Sequence, residues 1–117
     1  ENAIVQLEFL IENSSEESLK HIARIRISRI KLQQNLFDEA LQILEVDSMG
    51  SFEAKYEEIK GDIFSKKGEF SEAQSAYLKA LELLLPGEFD YEYIQMKFKD
   101  IQNEDPDGSE ELKDGNA

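Results

Sequence analysis

Residues 21–32 read HIARIRISRIKL, and the positions of the isoleucines in this stretch decide the fold. A β-strand would keep its apolar residues on one parity, but these residues change parity along the stretch. At 100° per residue the apolar positions of the surrounding segment instead form two groups, each about 80° wide. One group contains Leu19, Ala23, Ile27 and Ile30, and the other contains Ile22, Ile25 and Leu32. A helix with two apolar faces needs neighbours on two sides, as in a stack of helical hairpins.

The ends of this helix are also marked in the sequence. The segment SSEE at residues 14–17 predicts a capping box, with Ser14 as the cap and Glu17 three residues later. Asn35 tolerates the left-handed conformation of helix C-termini. We therefore expect a helix from about residue 15 to 34.

An internal repeat follows the helix. The segment NLFDEALQILE at residues 35–45 aligns with GEFSEAQSAYL at residues 68–78, at a constant offset of 33 residues. An earlier copy ends at NAIVQLE, residues 2–8, at an offset of 37. Self-similarity at this period is typical of arrays of helix pairs.

The second copy is close to the tetratricopeptide pattern of small and large residues. Its signature positions are Gly61, Ala73, Tyr77 and Ala80, with Pro86 near the end. Small residues are needed where paired helices approach closely, and the aromatic ring fills the remaining space. The first copy has Ser28 in place of Gly61 and Asp47 in place of Ala80. We expect looser or more polar packing there.

Three consecutive segments carry a more specific resemblance. They are ARIRISRIKLQQNLFDEALQILE (23–45), FEAKYEEIKGDIFSKKGEFSEAQSAYLKALELL (52–84) and YIQMKFKDI (93–101). Over about residues 1–102 the chain resembles the C-terminal half of the YfgM-like family of ancillary subunits of the SecYEG translocon.

The resemblance implies a helical repeat domain on the periplasmic side of the bacterial inner membrane, tethered by a single N-terminal anchor. Members of that family associate with the translocon and with a membrane-bound periplasmic chaperone, and help exported proteins leave the channel. The family has no catalytic residues to transfer. Because the chain opens without an initiator Met and within a periodic segment, we expect it to be a fragment.

Composition excludes several classes of function. The chain has 117 residues, 26 acidic and 13 basic, with a formal charge of -13. Nucleic acid is an unsuitable partner because phosphate binding needs clustered cations, and here Lys20, Arg24 and Lys31 lie on the opposite side of the helix from Arg26 and Arg29. There are no cysteines. No apolar run approaches the ~18 residues that span a bilayer.

The predicted fold is all-α: a tetratricopeptide-like stack of antiparallel hairpins, forming a right-handed α-solenoid with a C-terminal capping helix. The expected elements are a helix at 2–12, hairpins at 15–46 and 52–85, and a final helix at 90–102, all within one repeat domain at 1–102. Tyr93, Ile94, Met96, Phe98 and Ile101 are expected to cover the end of the stack. Residues 103–117 have six acids and one base, and they are predicted to be a disordered acidic tail. Their spacing only partly matches a calcium-binding loop, so calcium binding is not expected.

No constellation in the sequence indicates catalysis, a metal or another cofactor. His21 is the single histidine and is expected at the surface or partly packed. The adjacent acids Glu57 and Glu58 are about 100° apart on a helix and are expected to be solvated. We therefore predict a non-enzymatic domain that binds proteins.

By the tetratricopeptide register, the first helix of each hairpin lines a concave surface that holds the partner. The predicted partner-binding residues are Ile22, Ile25, Arg26, Arg29, Lys55, Glu58, Ile59, Asp62 and Lys66. Expected partners are the translocon, a periplasmic chaperone and exported client proteins, with membrane contact only through the anchor. Two alternatives stay open: a cytosolic adaptor that binds one defined peptide, and a self-assembly module.

Overall fold

The computed structural model describes residues 2–104, and over this range the chain is helical with no strand. The helices are α1 (Asn2–Asn13), α2 (Glu17–Gln33), α3 (Phe37–Gln42), α4 (Glu53–Lys67), α5 (Phe70–Glu82) and α6 (Phe89–Glu104), with a 3₁₀ turn at Gly50–Phe52. The all-α prediction is confirmed. Asn103 and Glu104 belong to α6, and the rest of the predicted tail lies outside the described residues.

The chain divides into two compact units, one ending at Phe52 and the other beginning at Glu53. In the first unit, α2 packs against both α1 and α3. Its buried apolar residues are Ile4, Ala23, Ile27, Ala40 and Leu44. On the first apolar face of α2, Ala23 and Ile27 are buried, while Leu19 keeps 40% of its surface exposed. Ile22 on the second face is 39% exposed.

The predicted end of α2 is confirmed, and its predicted start is wrong. Asn35 has φ of 62°, the left-handed conformation expected just after the helix. At the other end, Ser14 Oγ accepts a hydrogen bond from the backbone N–H of Glu16 at 3.0 Å. Glu16 occupies the N-cap position without a side-chain cap. Ser14 therefore stabilises the preceding turn and lies two residues before the N-cap position, where a capping box would need it.

The second helix of the first hairpin is shorter than predicted. α3 ends at Gln42, and the backbone N–H groups of Leu44 and Glu45 bond three residues back, to Leu41 and Gln42. The residues that follow are Val46 and Asp47, which have low helix propensity, and an acid near a helix C-terminus also opposes the helix dipole.

In the second unit, α5 packs against both α4 and α6. A buried cluster joins α5 to α6 and consists of Ala73, Tyr77, Ala80, Ile94 and Ile101. Phe98 packs on this cluster and is partly buried. The predicted covering role of α6 is correct for its residues Ile94, Phe98 and Ile101, whereas Tyr93 and Met96 point to solvent.

Gly61 allows α4 and α5 to approach closely. A Cβ atom placed at this position would overlap the ring of Tyr77, which is itself buried. The tetratricopeptide pattern therefore has its expected physical basis in this hairpin. No helix within residues 2–104 is long and apolar enough to cross a membrane.

Candidate partner-binding surfaces

The predicted partner-binding residues of α2 lie at or near the surface. Arg26 and Arg29 are exposed, Ile22 is 39% exposed, and Ile25 is half-buried. Since isoleucine and arginine alternate along this helix, the surface offers apolar contact and positive charge within a short distance.

The predicted residues of α4 separate into a surface set and an interior set. Lys66 is exposed, and Lys55 and Asp62 are half-buried. Glu58 and Ile59 are 2% and 0% exposed, so both lie in the interior. Position on the predicted helix face therefore does not by itself bring a side chain to solvent.

A groove lies between α1 and α2 in the first unit. Its apolar lining comes from Ala3, Leu7 and Leu10 on α1 and Ile30 on α2, with Gln6 at its side. Arg26 and Arg29 also line the groove, which has a volume of about 470 Å³. We call this feature the α1–α2 groove. Two of the residues predicted from the tetratricopeptide register thus belong to a cleft with an apolar floor.

In the second unit, Lys97 of α6 holds two acids of α4. Its Nζ donates hydrogen bonds to Glu58 Oε2 at 2.9 Å and to Asp62 Oδ1 and Oδ2 at 3.0 and 3.1 Å. Tyr77 O–H donates to Asp62 Oδ1 at 2.5 Å, and Lys55 Nζ donates to Glu58 Oε1 at 2.9 Å. We call Lys97, Glu58, Asp62 and Tyr77 the Lys97 cluster. It ties α6 to α4 through charge.

The electrostatics of the Lys97 cluster follow from burial and pairing. Burial alone would raise the pKa of Glu58, but hydrogen bonds from Lys55 and Lys97 outweigh it and hold the pKa below its ordinary value. Burial would lower the pKa of Lys97, and the charge of Asp62 reverses this, so the pKa is raised. Burial and the neighbouring Asp62 carboxylate both raise the pKa of Tyr77. All three groups are held in their ordinary protonation states at neutral pH.

An apolar strip lies on the outer face of α6. Phe89, Tyr93 and Met96 are exposed, and Phe89 keeps 80% of its surface accessible. The Phe89 and Tyr93 rings stack with centroids 6.0 Å apart, and Lys97 Nζ lies 4.5 Å from the centroid of Tyr93. We call these three apolar residues the α6 strip. Tyr93 and Met96 were predicted to cover the end of the stack, and this is wrong for both, although their i, i+3 spacing is visible in the sequence.

His21 is buried, contrary to the prediction of a surface or partly packed side chain. It retains 6% of its surface, and its ring lies 5.1 Å from that of Phe52. Burial and the nearby charge of Arg24 lower its pKa, which favours the neutral imidazole. The residue packs because the 3₁₀ turn brings Phe52 over α2, a contact between distant positions that helix periodicity does not reveal.

The prediction that Glu57 and Glu58 form a solvated surface is also wrong, since both are buried. Glu57 is paired with Lys60 at 3.5 Å, and Glu58 belongs to the Lys97 cluster. Within residues 2–104 no group of three or more His, Cys, Asp or Glu residues could hold a metal ion.

These hairpins define a class of protein. The tetratricopeptide repeat-like domain family matches residues 1–103, and the chain belongs to that family.

Curated relatives narrow the assignment within this class. The chain is 36% identical over 102 residues to the ancillary SecYEG translocon subunit of Buchnera aphidicola subsp. Schizaphis graminum, covering 87% of this chain and 52% of the relative. Proteins of the same name from Buchnera aphidicola subsp. Acyrthosiphon pisum and Neisseria gonorrhoeae are 29% and 27% identical, over 89% and 82% of this chain and 53% and 46% of theirs.

The chain thus spans about half the length of the curated relatives it matches. No solved structure matches it. The resemblance to ancillary translocon subunits that the sequence predicted is confirmed, and the family and its named relatives point to a role in protein binding.

Proposed function

We propose that this chain is a non-catalytic protein-interaction domain of an ancillary translocon subunit, which helps exported proteins pass from the SecYEG channel to periplasmic chaperones. The observation that carries the proposal is the shared name of the three curated relatives, joined to a tetratricopeptide repeat-like domain. A domain of stacked helices suits weak and broad recognition of extended segments.

In this proposal the first helices of the two hairpins, α2 and α4, supply the partner contacts. The accessible members of the predicted set are Ile22, Ile25, Arg26, Arg29, Lys55, Asp62 and Lys66. They combine isoleucines with both signs of charge, which supports contact with many partners in preference to one defined ligand. Glu58 and Ile59 act indirectly, by packing α4 and fixing Lys97.

Site-specific photocrosslinking in the full-length protein tests the partner contacts. A photoreactive amino acid is placed at Ile22 or at Lys66, and the matched control position is Ser75, which is exposed on α5. With an exported protein stalled in the channel, we expect crosslinks to that protein or to SecYEG from the first two positions and much weaker ones from Ser75. Equal crosslinking at all three positions would contradict the proposed surface.

We further propose that the domain lies on the periplasmic side of the inner membrane, tethered by a single membrane-spanning anchor. Protease added to spheroplasts should digest the domain while cytosolic proteins stay intact. Protection of the domain until the membrane is dissolved would instead support the alternative of a cytosolic adaptor.

The exposed α6 strip favours self-assembly as a second candidate function, since contiguous exposed apolar residues mark interaction sites. Light scattering of the purified chain over a range of concentrations tests this. A dimer that becomes monomeric on changing Phe89→Ser would support it, and a monomer at all concentrations would remove it.

A further inference from the structure

The α1–α2 groove combines an apolar floor with two exposed cations, Arg26 and Arg29. Lys20 and Lys31, which lie on the same helix, pair with Glu17 and Glu39. Arg26 and Arg29 make no ion pair with any acid among residues 2–104. These two exposed guanidinium groups thus lack an acidic partner within residues 2–104, although acidic residues outnumber basic ones 26 to 13 in the whole chain.

The acids of α1 are turned away from the groove. Ala3, Leu7 and Leu10 line it, whereas Glu8 and Glu12 lie roughly 130° and 170° around the helix from the centre of that face, at 100° per residue. The groove is therefore locally positive in an acidic protein. Its volume, about 470 Å³, falls within the range of sites that enclose several side-chain carbons.

We propose that the α1–α2 groove binds a segment of a partner protein in which aliphatic side chains are flanked by carboxylate side chains. The aliphatic groups enter between Leu7, Leu10 and Ile30, and the carboxylates accept hydrogen bonds from Arg26 and Arg29. Guanidinium groups hold carboxylates in bidentate geometry, and the apolar floor adds the release of water. This rests on the proposed role in protein binding and specifies the chemistry of one partner segment.

The charge distribution argues for a peptide over an anionic membrane surface. A lipid surface is bound by several clustered cations, each adding a little, whereas this groove has two and the rest of the chain is acidic. A peptide can place one carboxylate on each arginine, and its negative charges then lie within the groove. A basic segment would meet two like charges and is rejected.

Fluorescence anisotropy with a defined peptide tests the proposal. The probe is a labelled ten-residue peptide with a Leu-Leu pair flanked by aspartates, titrated with the purified chain. The double change Arg26→Gln and Arg29→Gln should weaken binding about tenfold or more, since each charge-assisted hydrogen bond is lost. Arg24→Gln removes the same charge from another side of α2 and should change binding less than about twofold.

The apolar part of the groove is tested separately. Ala3 is exposed on α1, and changing Ala3→Leu fills the groove without removing a core side chain or a charge. We expect weaker binding of the same peptide, and a circular dichroism spectrum unchanged from the parent chain. A peptide with serines for the leucines, and one with lysines for the aspartates, should both fail to bind.

Three outcomes would overturn the inference. They are equal binding by the double arginine variant, equal binding of the lysine peptide, and binding of phosphatidylglycerol vesicles that the double variant abolishes, which would make the groove a lipid site. None of them bears on crosslinking to the translocon from Ile22 or Lys66, so the failure of this inference is distinguishable from failure of the proposed function.

Discussion

The two hairpins are copies of one repeat, yet they solve the same packing problem by different chemistry. In the second, Gly61 leaves room for the Tyr77 ring, and α5 continues past Ala80, which is fully buried. In the first, the equivalent of Gly61 is Ser28, whose Oγ–H donates a hydrogen bond to the Ala40 carbonyl at 2.9 Å.

The comparison shows that the repeat register determines where the two helices approach closely, but not which interaction is made there. The close approach of the two helices is kept in both copies, since Ser28 and Gly61 are both buried at the crossing point. The interaction at that point varies with the residue. Where an aromatic ring fills the space no side chain fits beside it, and where a leucine replaces the ring a small polar group fits and finds a backbone acceptor.

The largest expected effect concerns the Lys97 cluster of the second unit, in which Glu58 is buried. Changing Lys97→Ala leaves Glu58 with Lys55 alone and Asp62 with Tyr77 alone. Removing one partner of a buried ion pair is strongly destabilising, and since Lys55 stays in place we expect a loss of about 3 kcal/mol in the free energy of unfolding. Urea unfolding followed by circular dichroism measures it.

Lys99→Ala serves as the control for that change. Lys99 is exposed on the same helix, and its removal should alter stability by less than about 0.5 kcal/mol. Equal effects of the two changes would show that the Lys97 cluster contributes nothing beyond general charge.

A smaller effect is expected from moving the first hairpin's residue into the second. Gly61→Ser places a Cβ atom against the Tyr77 ring, which cannot shift freely because it is buried and bonded to Asp62. Overpacking of this kind costs about 2 kcal/mol, partly offset by the better helix propensity of serine. Thermal or urea unfolding of the variant measures the change.

A double variant tests whether the clash is the cause. Gly61→Ser with Tyr77→Leu recreates the pair found in the first hairpin, Ser28 with Leu44. The two changes together should cost less than the sum of the single changes, by roughly 1 kcal/mol or more, because the ring that meets the new side chain is gone. Additive effects would contradict the explanation.

The sequence predicted those parts of the fold that depend on local pattern. The helix end at Asn35, the close contact at Gly61 and the polar packing at Ser28 all follow from residue type and spacing, and the structure has each of them. The shorter α3 was not predicted, since the repeat register suggested a longer helix than Val46 and Asp47 support.

The parts that failed depend on contacts between distant residues. Glu58 looked like a solvated acid because its partner Lys97 lies 39 residues away. The pairing of Lys55 with Glu58 at i, i+3 was the one local signal that this acid is held. In the α1–α2 groove the register indicated Arg26 and Arg29, and only the packing of α1 revealed the apolar floor beside them.

Within the first hairpin, a change of about 1 kcal/mol is expected from Ser28→Ala. The substitution keeps the Cβ atom and removes the hydroxyl group that bonds to the buried Ala40 carbonyl. Urea unfolding should show the loss. Ser18→Ala, at an exposed position in the first turn of α2, should have little effect. If the two changes are equivalent, the hydrogen bond does not contribute to the first hairpin.

The smallest expected effect is a dependence on alkaline pH that belongs to the second unit. The four tyrosines of the chain all lie in this unit, and burial together with the neighbouring Asp62 carboxylate raises the pKa of Tyr77 above the ordinary value of 10.0. A raised pKa in the folded state means that the protonated phenol stabilises the fold. This contribution is complete below pH 10 and is lost as the pH rises toward the folded-state pKa.

By pH 11 the loss from this one group should be about 1 kcal/mol. Urea unfolding at pH 9 and pH 11 measures it. The Tyr77→Phe variant has no phenol proton to lose at this position, so its free energy of unfolding should fall less between pH 9 and pH 11 than that of the parent chain. Tyr91→Phe removes a phenol hydroxyl from a half-buried position on α6, away from Asp62, and its free energy of unfolding should fall as much as that of the parent chain. If the free energy of unfolding of Tyr77→Phe falls as much as that of the parent chain, the alkaline loss comes from the growing negative charge of the whole protein. The phenol next to Asp62 would then not distinguish the second hairpin from the first.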